Sequence, residues 1–160
     1  MLRNRIWLVA PPLLAVLLVS GCQSSGGTAT MDVESEEHKI LNIIDSYVQA
    51  MNDADADSLE SLFWLDDPNF SEVENHIPTP FGAKTFSELG DWIRKNAKPG
   101  KNQRFYNTQV YILKPEVAYS VSMRDEYKTH KTSRVTLIYL KKGDEWRIIH
   151  GHFSYVPEQV

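Results

Sequence analysis

An arginine ends the segment Ala118-Tyr-Ser-Val-Ser-Met-Arg124. Alternate side chains of a strand share a face, so Ala118, Ser120, Ser122 and Arg124 point together. Small residues leave room there, and a guanidinium in such a recess suits two-point binding of a carboxylate. The competing reading is an exposed arginine paired with Asp125 or Glu126. His150 and His152 stand two apart in Trp146-Arg-Ile-Ile-His-Gly-His-Phe-Ser154. As a regular strand this segment points both rings the same way, with Trp146, Ile148 and Ser154. Two imidazoles on one sheet face can converge on a metal, but a third ligand is needed, from Glu72, Glu74 or His76. The expectation is a structural pair, packed on helices or at a dimer interface, with no metal. Acid–base chemistry is the remaining route. A carboxylate or imidazole desolvated in an apolar cavity shifts its pKa toward usefulness. Asp45, Glu72, Glu74 and His76 are the candidates for such a group, and His76, His150 and His152 are the histidines that could act catalytically. Asp45 lies off the apolar stripe of its helix and reads as solvated, whereas His76 falls in a Pro-rich segment at a pocket rim.

Aromatic side chains could wall a pocket around these groups: Tyr47, Phe63, Trp64, Phe86, Trp92 and Tyr119. Most such residues fill a core. The expected ligand contacts are Arg124, Tyr47, Trp64, Phe86 and Tyr119. No phosphate loop, serine-nucleophile motif or dinucleotide fingerprint occurs, and the sequence calls for no cofactor.

These residues need elements to position them. The apolar residues Ile40, Ile43, Ile44, Tyr47, Val48 and Met51 recur at helical spacing, which predicts an amphipathic helix over 36–52 capped by Ser35. A short helix near 55–65 should follow, and a short strand within 69–74. Thr85-Phe-Ser-Glu88 has the form of a capping box opening a third helix, which Pro99-Gly100 closes. The period then changes. Segments 101–113, 117–127, 129–141 and 145–155 are rich in Val, Ile, Thr and aromatics and read as four strands. Lys114-Pro115-Glu116 and Lys142-Gly143-Asp144 are their hairpin turns. Helices followed by an antiparallel meander make an α+β domain, here a curved sheet over helices with a cone-shaped cavity.

The chain has 160 residues, 42% hydrophobic and 24% charged, enough for one domain and a short appendage. Its net charge of −4 argues against nucleic acid as a partner. The single cysteine excludes an intramolecular disulfide. It closes the leader MLRNRIWLVAPPLLAVLLVSGC, residues 1–22. Arg3 and Arg5 precede an apolar run from Ile6 to Val19, too short to span a bilayer comfortably, which takes ~20 residues. Val19-Ser20-Gly21-Cys22 resembles the bacterial lipobox. That resemblance implies cleavage before Cys22, diacylglycerol on its thiol and palmitate on the mature protein. It implies a bacterial envelope lipoprotein, facing the periplasm from the outer membrane if the cell is Gram-negative. The membrane would be a partner only through this anchor. Residues 23–35 read as a flexible tether. Without Arg3 and Arg5 the 17 basic residues fall to 15 against 21 acidic, a balance of −6.

Four motifs in order carry a second resemblance: Ile44-Asp45-x-Tyr47-x-x-Ala50-x-Asn52-x-x-Asp55, the Phe70-to-Gly82 segment, Val117-Ala118-Tyr119 through Arg124, and Trp146 through Ser154. Over residues 36–156 the chain resembles the nuclear transport factor 2-like superfamily in its SnoaL-like branch, and is similar to the association domain of calcium/calmodulin-dependent protein kinase II. The resemblance implies a cone-shaped α+β fold, a pocket lined by Arg124 and a homodimer. A second pocket arginine of the association domain falls near Phe153 here, so the same ligand is not implied. The superfamily includes enzymes and non-catalytic domains, and fold alone does not choose. The expected function is binding of a small, partly apolar, possibly anionic ligand in the cone. The alternatives are an isomerase, dehydratase or hydrolase using a pocket histidine or carboxylate, and a homodimeric assembly module.

Overall fold

Asp32 opens the first helix by accepting a hydrogen bond from the Ser35 amide, so α1 spans Val33–Asp53. This cap lies three residues before the expected Ser35. A computed structural model describes residues 31–74, 80–100, 102–126 and 131–156. Cys22, the leader 1–22, most of the tether and His76 lie outside the described residues. No described helix is long and apolar enough to cross a membrane.

One face of α1 buries Ile40, Ile44, Tyr47 and Ala50. The helix ends where Ala54 turns left-handed at φ 57°, and Asp55 caps α2, Ala56–Ser61. α2 is shorter than the apolar pattern suggests because the next residues hydrogen-bond to the sheet. Trp64 N–H donates to the Ile148 carbonyl, and Ile148 N–H to that of Leu62. The third helix, α3, spans Ala83–Asn96. The expected capping box at Thr85 and Glu88 does not form: Gly82 is the N-cap, with no side-chain cap. The reason lies one residue upstream. Phe81 is bridged to the sheet edge through both backbone groups of Glu72, so the helix starts as soon as the chain leaves that bridge.

Five strands form one sheet: β1 (Ser71–Val73), β2 (Gln103–Lys114), β3 (Val117–Glu126), β4 (Lys131–Lys142) and β5 (Glu145–Tyr155). Their order is β1-β5-β4-β3-β2. The last four make the antiparallel meander, while β1 joins β5 in parallel, so the sheet is mixed. The helices pack on its inner face in an α+β architecture. Tyr47 meets the rings of Phe63, Phe105 and Phe153, and Phe63, Phe70 and Phe86 contact one another in a ring cluster.

One irregularity decides which side chains face inward. In the β4–β5 ladder Ile138 pairs with His150, but the next residue, Tyr139, pairs with Ile148. Ile149 is the extra residue of a bulge, and a bulge reverses the alternation beyond it. Trp146 and Ile148 are buried before it, Gly151 and Phe153 after it. His150 and His152 therefore do not share the inner face of Trp146 and Ile148, as uninterrupted alternation predicts.

Candidate functional site

Between α1, α3 and the sheet lies a cavity of about 190 Å³. Half of its lining residues are apolar: Met51, Leu59, Phe86, Leu89 and Ile93, with the half-exposed Trp92 at the rim. Tyr47, Tyr155, Glu72, Glu74, Gln103 and Arg124 bring the polar atoms.

Glu72 is clamped before its side chain is considered. On one side its backbone is in register with Gly151 of β5, and on the other it exchanges two hydrogen bonds with Phe81. This directs the carboxyl inward, where the residue is 2% exposed. A Cβ on Gly151 would stand 3.3 Å from Glu72 Cγ and 3.4 Å from its Oε1. The missing side chain thus makes the space that the carboxyl occupies. Glu72 Oε2 has no hydrogen-bond partner. Burial and the neighbouring Glu74 carboxylate push the Glu72 carboxyl well above the usual range, with Arg124 pulling the other way.

Arg124 comes from the inward face of β3, shared with Ala118, Ser120 and Ser122, and is 4% exposed. Its guanidinium lies 4.7 Å over the Phe153 ring, 4.0 Å from Glu74 Oε1 and 3.4 Å from Ser133 Oγ. The alternative surface pairing belongs instead to Arg104, which meets Asp125 at 3.1 Å. Gln103 is fixed by two hydrogen bonds between its backbone and the Asn52 amide. Its own side-chain Oε1 is left without a partner.

Of the expected ligand contacts, Arg124, Tyr47 and Phe86 line this cavity and Trp64 and Tyr119 do not. Trp64 donates its indole N–H to the Leu140 carbonyl, with Lys142 and Arg147 over its ring. Tyr119 stacks on Tyr111 at 4.7 Å on the outer face, opposite Arg124 in the alternation of β3. His150 and His152 are also outside. His150 Nδ1 is hydrogen-bonded with Ser71 Oγ at 2.9 Å, and burial together with His152 lowers its pKa. His152 is exposed. Among the described residues no three His, Cys, Asp or Glu side chains group to hold a metal. Asp45 is exposed on α1. Gln103 and Tyr155 escape the sequence reading. Gly151 is the signal that could have found Tyr155, because a strand glycine often marks a bulge.

A stability measurement checks the state of Glu72. Its unfolded carboxyl titrates near 4.5, while the folded one keeps its proton to higher pH. The folded state then binds more protons than the unfolded above pH 4.5, so this group costs stability as pH rises. Glu72→Gln is expected to gain stability relative to the parent as pH rises from 4 to 8. Urea midpoints at the two pH values read the difference.

The fold is that of the nuclear transport factor 2-like class. The model of the SnoaL-like domain matches residues 40–158, and the chain belongs to that family. A search of curated proteins found no match. Solved structures share the fold. An NTF2-like protein of unknown function from Pseudomonas putida has 17% identity, covers 78% of this chain and 89% of its own, and superposes with a TM-score of 0.64. The association domain of C. elegans CaMKII has 14% identity, coverage of 76% and 96%, and a TM-score of 0.61. A candidate ketosteroid isomerase from Parabacteroides distasonis has 18% identity, coverage of 74% and 86%, and a TM-score of 0.57.

Proposed function

We propose that this domain takes up a small, partly apolar molecule in the cavity beside Glu72. The observation that carries the reading is the Glu72 carboxyl itself. The residue is 2% exposed, one of its carboxyl oxygens has no partner, and it lines a cavity half of whose lining residues are apolar. A site selected for stability alone would hold an apolar residue, because a buried carboxyl costs free energy that packing does not return. The volume is below the ~300 Å³ at which drug-sized pockets begin, which supports a small ligand. An acidic group on that ligand would have to share Arg124 with Glu74, and this weighs against an anion. Leu89→Trp fills the cavity from α3. It is expected to remove any small molecule retained by the parent in native mass spectrometry. Identical retention by both proteins would overturn the reading.

A proton-transfer enzyme is the second reading, favoured by the same carboxyl. A carboxyl whose pKa is raised by burial is suited to exchange a proton with a bound substrate. The mass spectra also report assembly. We propose a homodimer through the outer sheet face, supported by Tyr111 and Leu113 exposed there and by the likeness to an association domain.

We also propose that the chain is exported and held at a bacterial cell envelope by lipid on Cys22. The basic leader, the apolar run and the small residues before the cysteine support it. Cys22→Ser should shift the protein from the membrane fraction or leave it unprocessed. Unchanged fractionation and processing would reject the anchor.

A further inference from the structure

We infer that the rim of the cavity is a membrane contact, in which Trp92 enters the headgroup region of an anionic bilayer and Lys95 and Lys98 meet lipid phosphates. The sequence makes the membrane a partner only through Cys22, whereas this contact lies on the domain itself. Trp92 is 54% exposed, the most exposed aromatic side chain among the described residues. The packing of α3 turns it outward. Gly90 is buried against α2, where a Cβ would collide with the Glu60 carboxyl. At about 100° per residue, Trp92 stands on the side of the helix away from Gly90 and Arg94. An indole left in water is a cost that a partner removes.

The surroundings of the ring decide the partner. Its exposed neighbours one turn away are Glu88, Lys95 and Asn96, all polar. No apolar patch extends around it toward the roughly 800 Å² per partner that a stable protein interface buries. A single indole among lysines is instead what a bilayer surface takes, with the ring at headgroup level and the ammonium groups turned to the polar side. Charge agrees. The carboxylates of α3 have cations of their own, Glu88 at 3.9 Å from Lys84 and Asp91 at 3.0 Å from Arg94. Lys95 and Lys98 are exposed, and neither is in an ion pair among the described residues. Anionic headgroups supply their counter-charge. The anchor proposed on Cys22 would bring a bilayer within reach, and the inference takes nothing else from that reading. Trp92 and Leu89 also line the cavity. A molecule dissolved in the bilayer would therefore meet the cavity at the contact, a consequence that rests on the ligand reading, whereas the contact does not.

Fluorescence of the full chain on vesicles of equal parts phosphatidylcholine and phosphatidylglycerol tests this, with bromine on the acyl chains to quench any indole that enters. The apolar leader can enter a vesicle by itself, so Trp7→Phe is the background, and Trp64, Trp92 and Trp146 remain. Brominated vesicles are expected to lower the emission by up to about a third relative to unbrominated ones, one indole of three. Trp92→Phe should abolish this quenching, and Lys95→Glu with Lys98→Glu should roughly halve it. All three residues are exposed, so circular dichroism of the variants should match the parent. Quenching of the same size without Trp92, or undiminished by the two charge reversals, overturns the inference. No quenching in the Trp7→Phe protein overturns it too, and leaves Trp92 to a protein partner. None of these outcomes touches the anchor, which stands or falls on the fractionation of Cys22→Ser.

Discussion

Arg124→Met is expected to lower the stability of the fold by about 3 kcal/mol and its melting temperature by roughly 10 °C. Methionine keeps much of the side-chain volume, so the loss is one of charge. The guanidinium is 4% exposed and serves two carboxyls at once. Glu74 lies 4.0 Å away, and Arg124 draws the Glu72 carboxyl downward against burial. Removing the cation takes from Glu74, itself 11% exposed at the side chain, the guanidinium that lies 4.0 Å away. Breaking one partner of a buried pair is costly for this reason, while removing both is much less so. The double variant Arg124→Met, Glu74→Gln should therefore recover most of the loss. A thermal melt of the four proteins in the cycle gives the coupling, expected at about 2 kcal/mol. Additive losses would show that Arg124 is held by packing on Phe153 and not by charge. A binding assay on Arg124 variants reports on the ligand only in a protein whose fold survives.

Glu36→Gln should cost about 2 kcal/mol at neutral pH, with the difference from the parent disappearing in acid. Glu36 stands in the first turn of α1, where the helix dipole also favours a negative charge. Its carboxylate accepts from Lys39 at 2.7 Å, from Lys141 at 2.9 Å and from the indole N–H of buried Trp146. These donors hold its pKa at about 2, against 4.5 ordinarily. The sign is opposite to that of Glu72. The folded state prefers the ionised carboxyl, so the stabilisation is complete above pH 4.5 and fades as pH falls toward 2. Urea midpoints of parent and variant from pH 7 to pH 2.5 should converge. A constant gap would mean that the carboxylate charge is not what ties α1 to the sheet.

The elements were legible where local signals agree. The spacing of Ile40, Ile44 and Tyr47 gives α1, and alternation in Ala118 to Arg124 gives the inward face of β3. That same alternation puts Tyr119 outside, and aromatic character alone is no guide to the cavity. Trp64 shows the same point, since its ring serves a hydrogen bond to β4. Pairing between distant segments was not legible. Nothing in Ser71–Val73 announces a parallel partner in β5, and the expectation was a purely antiparallel meander. The bulge at Ile149 was missed as well, and with it the inward turn of Tyr155 and the outward turn of both histidines. Gln103 enters the site only because Asn52 fixes its backbone from α1, a contact between residues 51 positions apart. Glu72 was named among four acid–base candidates. Its distinction from Asp45 came from burial, which depends on the whole sheet.

The parallel seat of β1 also bears on the order of assembly. The meander can zip through hairpins, each new strand joining the one just before it. Ser71 reaches His150 across 79 residues, a closure that must wait until β5 has a sheet to belong to. Glu72 rides on that strand, so the carboxyl leaves water late, when β1 docks against Gly151. Burial raises the pKa of that carboxyl, so the docking of β1 becomes less favourable as pH rises, whereas the hairpins have no such dependence. Acquiring the cavity's acid is then a kinetic event distinct from forming the scaffold. Refolding should show a final phase that slows as pH rises, after most of the strand signal has returned.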